Sequence, residues 1–411
     1  MTGQTVQPKR RRIPRWSDVA PLLDLRVHAP DRTRALTRCA DVADVRTLAK
    51  RRVPRMVFDF VDGAAGSESS ARRARELFTR LELEPRALRD VRSIDIGIDL
   101  LGTRNALPFF LAPTGGTRLM NPAGETAVAR VAAEFGIAYA LSTLGTTTVE
   151  ELAAAAPQTR RWFQLYVMSD RSRGSAMVER AHAAGYDTLL VTIDTPVPGR
   201  RNRDVRNGLV VPPTLTWHSI GRIAGYPRWW VDALTSEPVR FAMVDAESEL
   251  PAARMEKVFD PGVTVHDLEW LREIWPGHLV VKGVQSVHDA ELVAGTGVDA
   301  IYLSTHGGRQ LDNAPLPYEI LPAVRKAIDP GIQIFVDGGV LSGPEIVACL
   351  AQGADAVGVG RAYLYGLMAA GEAGVRRVCE ILRTEIETTV QLLGCTSVDE
   401  LVGVPLRTRP H

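Results

Sequence analysis

Short apolar runs recur along the chain from residue 107 onward, and each has the length of a buried strand. They lie at Leu107–Ala112, Ile137–Ser142, Trp162–Tyr166, Leu189–Ile193, Leu279–Val284, Ala300–Ser304, Ile332–Val336 and Ala356–Val359. Segments with helical spacing of apolar positions lie between them, at Glu125–Phe135, Val149–Ala155, Ala176–Ala184, Val265–Ile274, Ala290–Val293, Tyr318–Ala327 and Pro344–Gln352. Strands that alternate with helices predict parallel βαβ units. Eight such units predict an α/β fold, a closed (β/α)8 TIM barrel.

Polar side chains recur where these predicted strands end. They are Ser142, Gln164, Tyr166, Thr192, Asp194, Lys282, His306, Asp337 and Arg361. Active sites of such barrels lie at the C-terminal ends of the strands. We therefore expect these side chains to surround one site.

The N-terminal part of the chain departs from this alternation. Residues 1–40 include the basic run Lys9–Arg12, which predicts a mobile, solvated arm. Two short helices are predicted next, over Val42–Lys50 and Arg55–Val61, the second starting after a proline. The barrel domain, with this helical segment, is predicted to span 41–401.

The second half of the chain contains one long interruption. Residues 207–264 separate the fourth and fifth predicted strands, and a loop of this length is typically a functional lid or binding segment. Its aromatic and basic cluster Tyr226–Trp230 indicates either a helical flap packed on the barrel or a surface that contacts lipid headgroups or an electron acceptor. A long terminal helix is predicted over Gly374–Leu393, followed by a C-terminal tail at 402–411.

Composition narrows the class of protein. The 411 residues are 45% apolar, enough for a large core, and the net charge of +1 gives no case for nucleic-acid binding. The four cysteines are scattered, so neither a metal site nor a disulfide framework is indicated, and a reducing cytoplasm fits. We find no apolar stretch long enough to span a bilayer and no signal-peptide core near the start.

The strongest motif follows the sixth predicted strand. The strand ends at His306, two glycines let the backbone turn sharply, and Arg309 follows. Histidine can accept a proton near neutral pH, and arginine can hold a carboxylate through two parallel hydrogen bonds. The whole stretch, Leu303–Asp312, resembles the signature of the FMN-dependent α-hydroxy-acid oxidase and dehydrogenase family, with Thr305 in place of the usual asparagine. The resemblance extends over about residues 41–401 and is closest to the actinobacterial L-lactate dehydrogenase branch.

The resemblance implies FMN as cofactor and assigns residues to it. Glycine pairs after the seventh and eighth strands are typical of a barrel phosphate site, and in the family they bind the FMN phosphate. Lys282 is expected beside flavin N1 and O2, with an ion pair to Asp337 as the alternative. Leu341 occupies a position where relatives often carry a further arginine. The full set of predicted cofactor-binding residues is Ala112, Pro113, Thr114, Ser142, Gln164, Thr192, Lys282, Ser304, Asp337, Gly338, Gly339, Gly360 and Arg361.

The resemblance also implies roles at the substrate. His306 is the expected base, and Asp194 would orient and stabilise its imidazole. Arg201 and Arg309 would bind a carboxylate, and Tyr166 would donate to the developing oxyanion. Phe60 stands where relatives carry a tyrosine that donates to the carboxylate, so this contact is absent.

These assignments predict oxidation of an L-2-hydroxy acid to the 2-oxo acid, with lactate as the first candidate for the substrate. Two alternatives stay open: oxidation of a modified peptide or natural-product intermediate, and a non-catalytic FMN-binding barrel. Gly115, where many oxidases carry alanine, favours a quinone or carrier over oxygen as electron acceptor. A homotetramer, and peripheral contact of 207–264 with the inner face of a membrane, are further expectations from the resemblance.

Overall fold

Eight parallel strands pair in sequence order, and the last closes onto the first to form a barrel. The computed structural model describes residues 32–208, 224–244 and 258–409. The strands are β1 Phe109–Leu111, β2 Tyr139–Ser142, β3 Arg161–Tyr166, β4 Thr188–Thr192, β5 His278–Val284, β6 Ala300–Leu303, β7 Gln333–Val336 and β8 Ala356–Val359. All eight overlap the predicted runs, so the barrel prediction is confirmed.

Aromatic side chains fill the interior of the barrel. Trp162 stacks on Phe335 with 5.8 Å between ring centroids, and Phe110 lies 4.8 Å from Trp162. Gly358 on β8 makes room for this layer, because a Cβ there would collide with the hydroxyl of Tyr302. The barrel is therefore a packed core, and ligands have space only above it, at the strand ends.

Helices follow the strands as the apolar spacing predicts. They are Gly124–Glu134, Val149–Ala155, Arg171–Ala183, Val265–Ile274, Val287–Ala294, Pro317–Ala327, Gly343–Ala351 and the terminal helix Glu372–Leu392. A further helix, Arg361–Ala370, follows β8 and was not predicted. It packs against the terminal helix and against the N-terminal helix Val42–Arg52, and nearly all of its residues are buried. Such a helix carries no amphipathic signal in its sequence.

The N-terminal helices are Arg32–Thr37, Val42–Arg52, Arg55–Asp62 and Ser69–Arg80. They correct the predicted arm, because Leu36 and Cys39 are buried in the core and the Cys39 carbonyl accepts from Arg377 Nη2 at 2.9 Å. The arm boundary at residue 40 was therefore placed too late. The basic run Lys9–Arg12 lies outside the described residues.

The C-terminal tail contributes a strand that the sequence did not indicate. Strand Leu406–Thr408 pairs antiparallel with strand Leu81–Leu83, which follows helix Ser69–Arg80. A second antiparallel pair, Ile98–Leu100 with Thr103–Asn105, lies at the N-terminal ends of the barrel strands. The first pair fastens residues 406–408 to the N-terminal helical segment.

The interruption between β4 and β5 is described in part. Helix Asn202–Asn207 precedes it, and helix Pro227–Thr235 lies within it. Trp229 Nε1 donates to the Leu119 carbonyl at 3.0 Å, so one face of the second helix contacts the barrel. Trp230 and Leu234 are exposed on this helix. Among the described residues, no helix is both long enough and apolar enough to cross a membrane.

Candidate active site

The predicted His306–Asp194 pair is present in the structure. His306 stands just beyond β6 with a φ of +55°, and its Nδ1 lies 3.2 Å from Asp194 Oδ1. Its backbone N–H donates to Ser304 Oγ at 3.0 Å. A positive φ at a residue other than glycine is costly and is held by surrounding contacts. Because Asp194 engages Nδ1, the other ring nitrogen is left for a substrate.

Asp194 is almost fully buried, with 1% of its side chain exposed. Burial alone raises its pKa, but the opposing charges of His306 and Lys282 outweigh burial and leave that pKa below its usual range. Its Oδ2 has no hydrogen-bond partner among the described residues. Gly283, with a φ of +102°, is required beside it, because a Cβ there would lie 2.7 Å from the Asp194 side chain. Asp194 is therefore an ionised group that can stabilise a protonated imidazole.

Lys282 is the buried cation of the site. Its Nζ donates to Ser304 Oγ at 2.8 Å and lies 3.5 Å from Asp337 Oδ2. The ion pair considered from the sequence is therefore present, although it is long. Asp337 Oδ1 has no partner within the described part of the chain. A buried ammonium with a loose partner can serve a second anionic group.

A chain of hydrogen bonds joins three neighbouring strand ends. Ser142 Oγ donates to Gln164 Oε1 at 2.9 Å, and Gln164 Nε2 donates to Thr192 Oγ1 at 2.9 Å. All three side chains are buried. Just beyond β1, Thr114 Oγ1 pairs with the Tyr363 hydroxyl at 2.5 Å, and that hydroxyl donates to the Ala112 carbonyl. These bonds fix polar groups that belong to the predicted cofactor-binding set.

Two arginines flank the ring of Phe60. The guanidinium carbon of Arg309 lies 5.2 Å from the ring centroid, and that of Arg201 lies 5.7 Å away. Arg309 Nη1 donates to the carbonyls of Phe60 and Gly63, and Arg201 Nε donates to Asp204 at 2.8 Å. Burial and the charges of Arg201 and Arg361 lower the pKa of Arg309. Repulsion between the guanidinium groups favours an anion between them.

One cavity of about 1260 Å³ collects the predicted groups. Its lining includes Pro113, Thr114, Tyr166, Arg201, Lys282, His306, Arg309, Asp337, Gly338, Gly339, Gly360 and Arg361. Six predicted residues do not line the cavity, but they support lining side chains or lie beside lining residues in the chain. They are Ala112, Ser142, Gln164, Thr192, Asp194 and Ser304. Sequence reasoning missed Arg75, Phe241 and Phe259, which also line the cavity.

Comparison with known proteins identifies the family. Residues 49–407 match the FMN-dependent dehydrogenase family. The chain belongs to this family. It is 50% identical over 392 residues to a putative L-lactate dehydrogenase of Mycobacterium tuberculosis (strain ATCC 25618 / H37Rv), with 95% of each chain covered. It is 38% identical over 366 residues to an L-lactate dehydrogenase of Caulobacter vibrioides (strain NA1000 / CB15N), covering 87% of this chain and 95% of that one.

Two solved structures have the same fold as this chain. A monotopic membrane protein, (S)-mandelate dehydrogenase, matches with a TM-score of 0.86 and 35% identity, covering 90% of this chain and all of that one. A mandelate oxidase matches with a TM-score of 0.78 and 34% identity over 90% of this chain and all of that one. The predictions of family, barrel fold and FMN cofactor are confirmed.

Several features of the structure show that the cavity fits FMN, the cofactor of this family. Buried Lys282 can face the anionic reduced ring, and Asp337 Oδ1, which no described residue contacts through a hydrogen bond, can accept from a ribityl hydroxyl. Gly338 and Gly339 both have positive φ, so their backbone can approach a phosphate closely. A Cβ on Gly360 would meet no atom within 4 Å, which leaves open space beside Arg361.

Proposed function

We propose that this FMN-dependent dehydrogenase oxidises an L-2-hydroxy acid to the 2-oxo acid. The observation that carries the proposal is the His306–Asp194 pair, which meets Arg201 and Arg309 in one cavity. A base beside a carboxylate site matches a substrate whose acid group lies next to the reacting carbon. The names of the sequence relatives make lactate the first candidate.

Each residue has a defined task in this proposal. Arg201 and Arg309 bind the carboxylate and so fix C2 and its hydroxyl in the cavity. Tyr166 donates a hydrogen bond to the oxygen on C2. The free nitrogen of His306 takes up a proton from the substrate, and Asp194 stabilises the resulting imidazolium. Bound FMN supplies a two-electron acceptor, and Lys282 favours the negative charge of its reduced state.

The apolar wall of the cavity favours a second candidate, a substrate larger than lactate. Phe60 lines the cavity from helix Arg55–Asp62 and Leu144 from the loop after β2, and Phe241 and Phe259 line it from the residues between β4 and β5. Backbone bonding from Ala242 to the Gly145 carbonyl at 3.0 Å holds Phe241 in place. An aryl or long alkyl hydroxy acid, or a modified peptide or natural-product intermediate, would bury apolar surface against these side chains.

Anaerobic mixing with a panel of hydroxy acids tests the function. Loss of the flavin absorbance with L-lactate supports the first candidate, and loss only with larger compounds supports the second. Protein that holds FMN but is reduced by nothing in the panel would be a non-catalytic barrel. The rates at which a quinone and oxygen reoxidise the reduced flavin, compared on the same preparation, identify the electron acceptor. We expect the quinone or another carrier to react faster than oxygen.

Replacing Phe60 with tyrosine should tighten the binding of small hydroxy acids. The new hydroxyl would lie between Arg201 and Arg309 and could donate to the carboxylate, a contact worth about 3–10-fold in affinity. The KM for flavin reduction by lactate measures this, with FMN affinity as the control. An unchanged or higher KM would show that the carboxylate does not approach the position of this ring.

We also propose that helix Pro227–Thr235 contacts the surface of a membrane, because apolar residues on it are exposed. Trp230, Val231 and Leu234 are 38%, 42% and 68% exposed, respectively. Aromatic and aliphatic side chains on one segment can enter the headgroup region of a bilayer. Cosedimentation of the intact protein with anionic vesicles, compared with a Trp230→Ser variant, would detect this contact, and equal recovery of both would argue against it.

A further inference from the structure

Helix Ser69–Arg80 lies directly on the loop after β7. A Cβ added to Gly339 would come within 2.8 Å of the Ala74 Cβ, so helix and loop are in close contact. The next residue, Arg75, lines the cavity, and its Nη1 donates to the Gly339 carbonyl and, at 2.7 Å, to Glu345 Oε2. Glu345 also accepts from the Leu341 N–H at 2.6 Å. A guanidinium from outside the barrel is thus fixed beside the Gly338–Gly339 turn.

Arg361, the arginine predicted at the phosphate, has few free donors at this end of the cavity. A phosphate monoester carries a charge of about −1.5 to −2 at neutral pH, and such groups are typically held by arginine. Arg361 donates to the carbonyls of Val61 and Gly63, which occupies its Nε and Nη2. The loop position after Val340 is Leu341, whose side chain carries no charge and whose N–H donates to Glu345. Arg75 therefore supplies a second guanidinium at this end.

We propose that Arg75 binds the 5′-phosphate of FMN. The inference rests on the proposed position of the phosphate at the loops after β7 and β8. Both hydrogen bonds of Arg75 use Nη1, and no hydrogen bond within the described part of the chain uses its Nη2 or Nε. These N–H groups can donate to phosphate oxygens while Nη1 keeps its contacts with Gly339 and Glu345. Glu345 thereby orients Arg75 and the loop together.

Riboflavin, which has the same ring but no phosphate, separates a phosphate contact from a structural one. The experiment titrates apoprotein with FMN and with riboflavin and follows the quenching of flavin fluorescence. Arg75→Gln should weaken FMN binding by about 10–100-fold, as expected for the loss of charge-assisted hydrogen bonds. Riboflavin binding should stay unchanged, so the ratio of the two affinities should fall. Arg75→Lys, which keeps the charge but not the planar fork, should give an intermediate ratio.

Arg73→Gln is a matched control on the same helix. The side chains of Arg73 and Arg75 are both 40% exposed and both pair with a glutamate, but Arg73 pairs with Glu319 and does not line the cavity. This variant should keep the wild-type affinity ratio. A ratio in Arg75→Gln equal to wild type, or equal weakening of both flavins, would overturn the role of Arg75. Wild-type protein that binds neither flavin would overturn the proposed function as well.

Discussion

Replacing His306 with alanine should leave FMN bound and slow flavin reduction by the preferred hydroxy acid by about 10²–10⁴-fold, the usual contribution of a positioned general base. The imidazole lies beside the cavity with Nδ1 engaged by Asp194, so its loss removes the group that takes the substrate proton. Stopped-flow absorbance under anaerobic conditions measures the rate.

His266→Ala provides the control for this prediction. His266 lies on the exposed surface of helix Val265–Ile274 and pairs with Glu269, and its change should leave the rate at the wild-type value. Flavin reduction in His306→Ala at the wild-type rate would remove His306 from the mechanism. Loss of FMN from that variant would instead assign it a role in cofactor binding.

Asp194→Asn should also slow flavin reduction by about 10²–10⁴-fold, because an amide cannot stabilise the imidazolium that forms on His306. The side chain keeps nearly the same shape, so the packing against Gly283 is retained. FMN affinity should change little, since Asp194 does not line the cavity. The rate of reduction and the flavin dissociation constant, measured on the same preparation, test both parts.

Asp187→Asn is the matched control for that substitution. Asp187 precedes the same strand, β4, at its opposite end, where its carboxylate pairs with Arg160 Nε at 2.7 Å. The control variant should reduce its flavin at the wild-type rate even if it melts at a lower temperature. Equal slowing of both variants would indicate damage to the strand, and an unaffected Asp194→Asn would contradict the proposed stabilisation.

The strands and the residues at their ends could be predicted from the sequence because both depend on local patterns. An apolar run such as Leu279–Val284 is buried on both sides, and a polar residue such as Lys282 within it must face a site or a partner. The motif at His306 added the chemistry. The structure then gave the contact that the resemblance implied, in which Asp194 reaches His306 across 112 positions of the chain.

Other features depend on contacts between distant segments and could not be predicted in this way. Arg75 reaches the cavity because its helix packs on Gly339, although its sequence is that of an ordinary basic surface helix. Helix Arg361–Ala370 is buried on nearly every side and has no polar face to indicate its period. The strand in the C-terminal tail and the packing of the residues just before 41 were not predicted, because Leu406 and Leu36 find their partners in remote parts of the chain.

A crystal structure of the FMN-bound protein with an unreactive analogue of its substrate would test the central claim most directly. The proposal predicts the flavin ring across the C-terminal mouth of the barrel and the analogue's carboxylate between Arg201 and Arg309. The free nitrogen of His306 should lie about 2.6–3.2 Å from the oxygen on C2. An imidazole turned away from that oxygen, or a flavin bound elsewhere, would contradict the proposal.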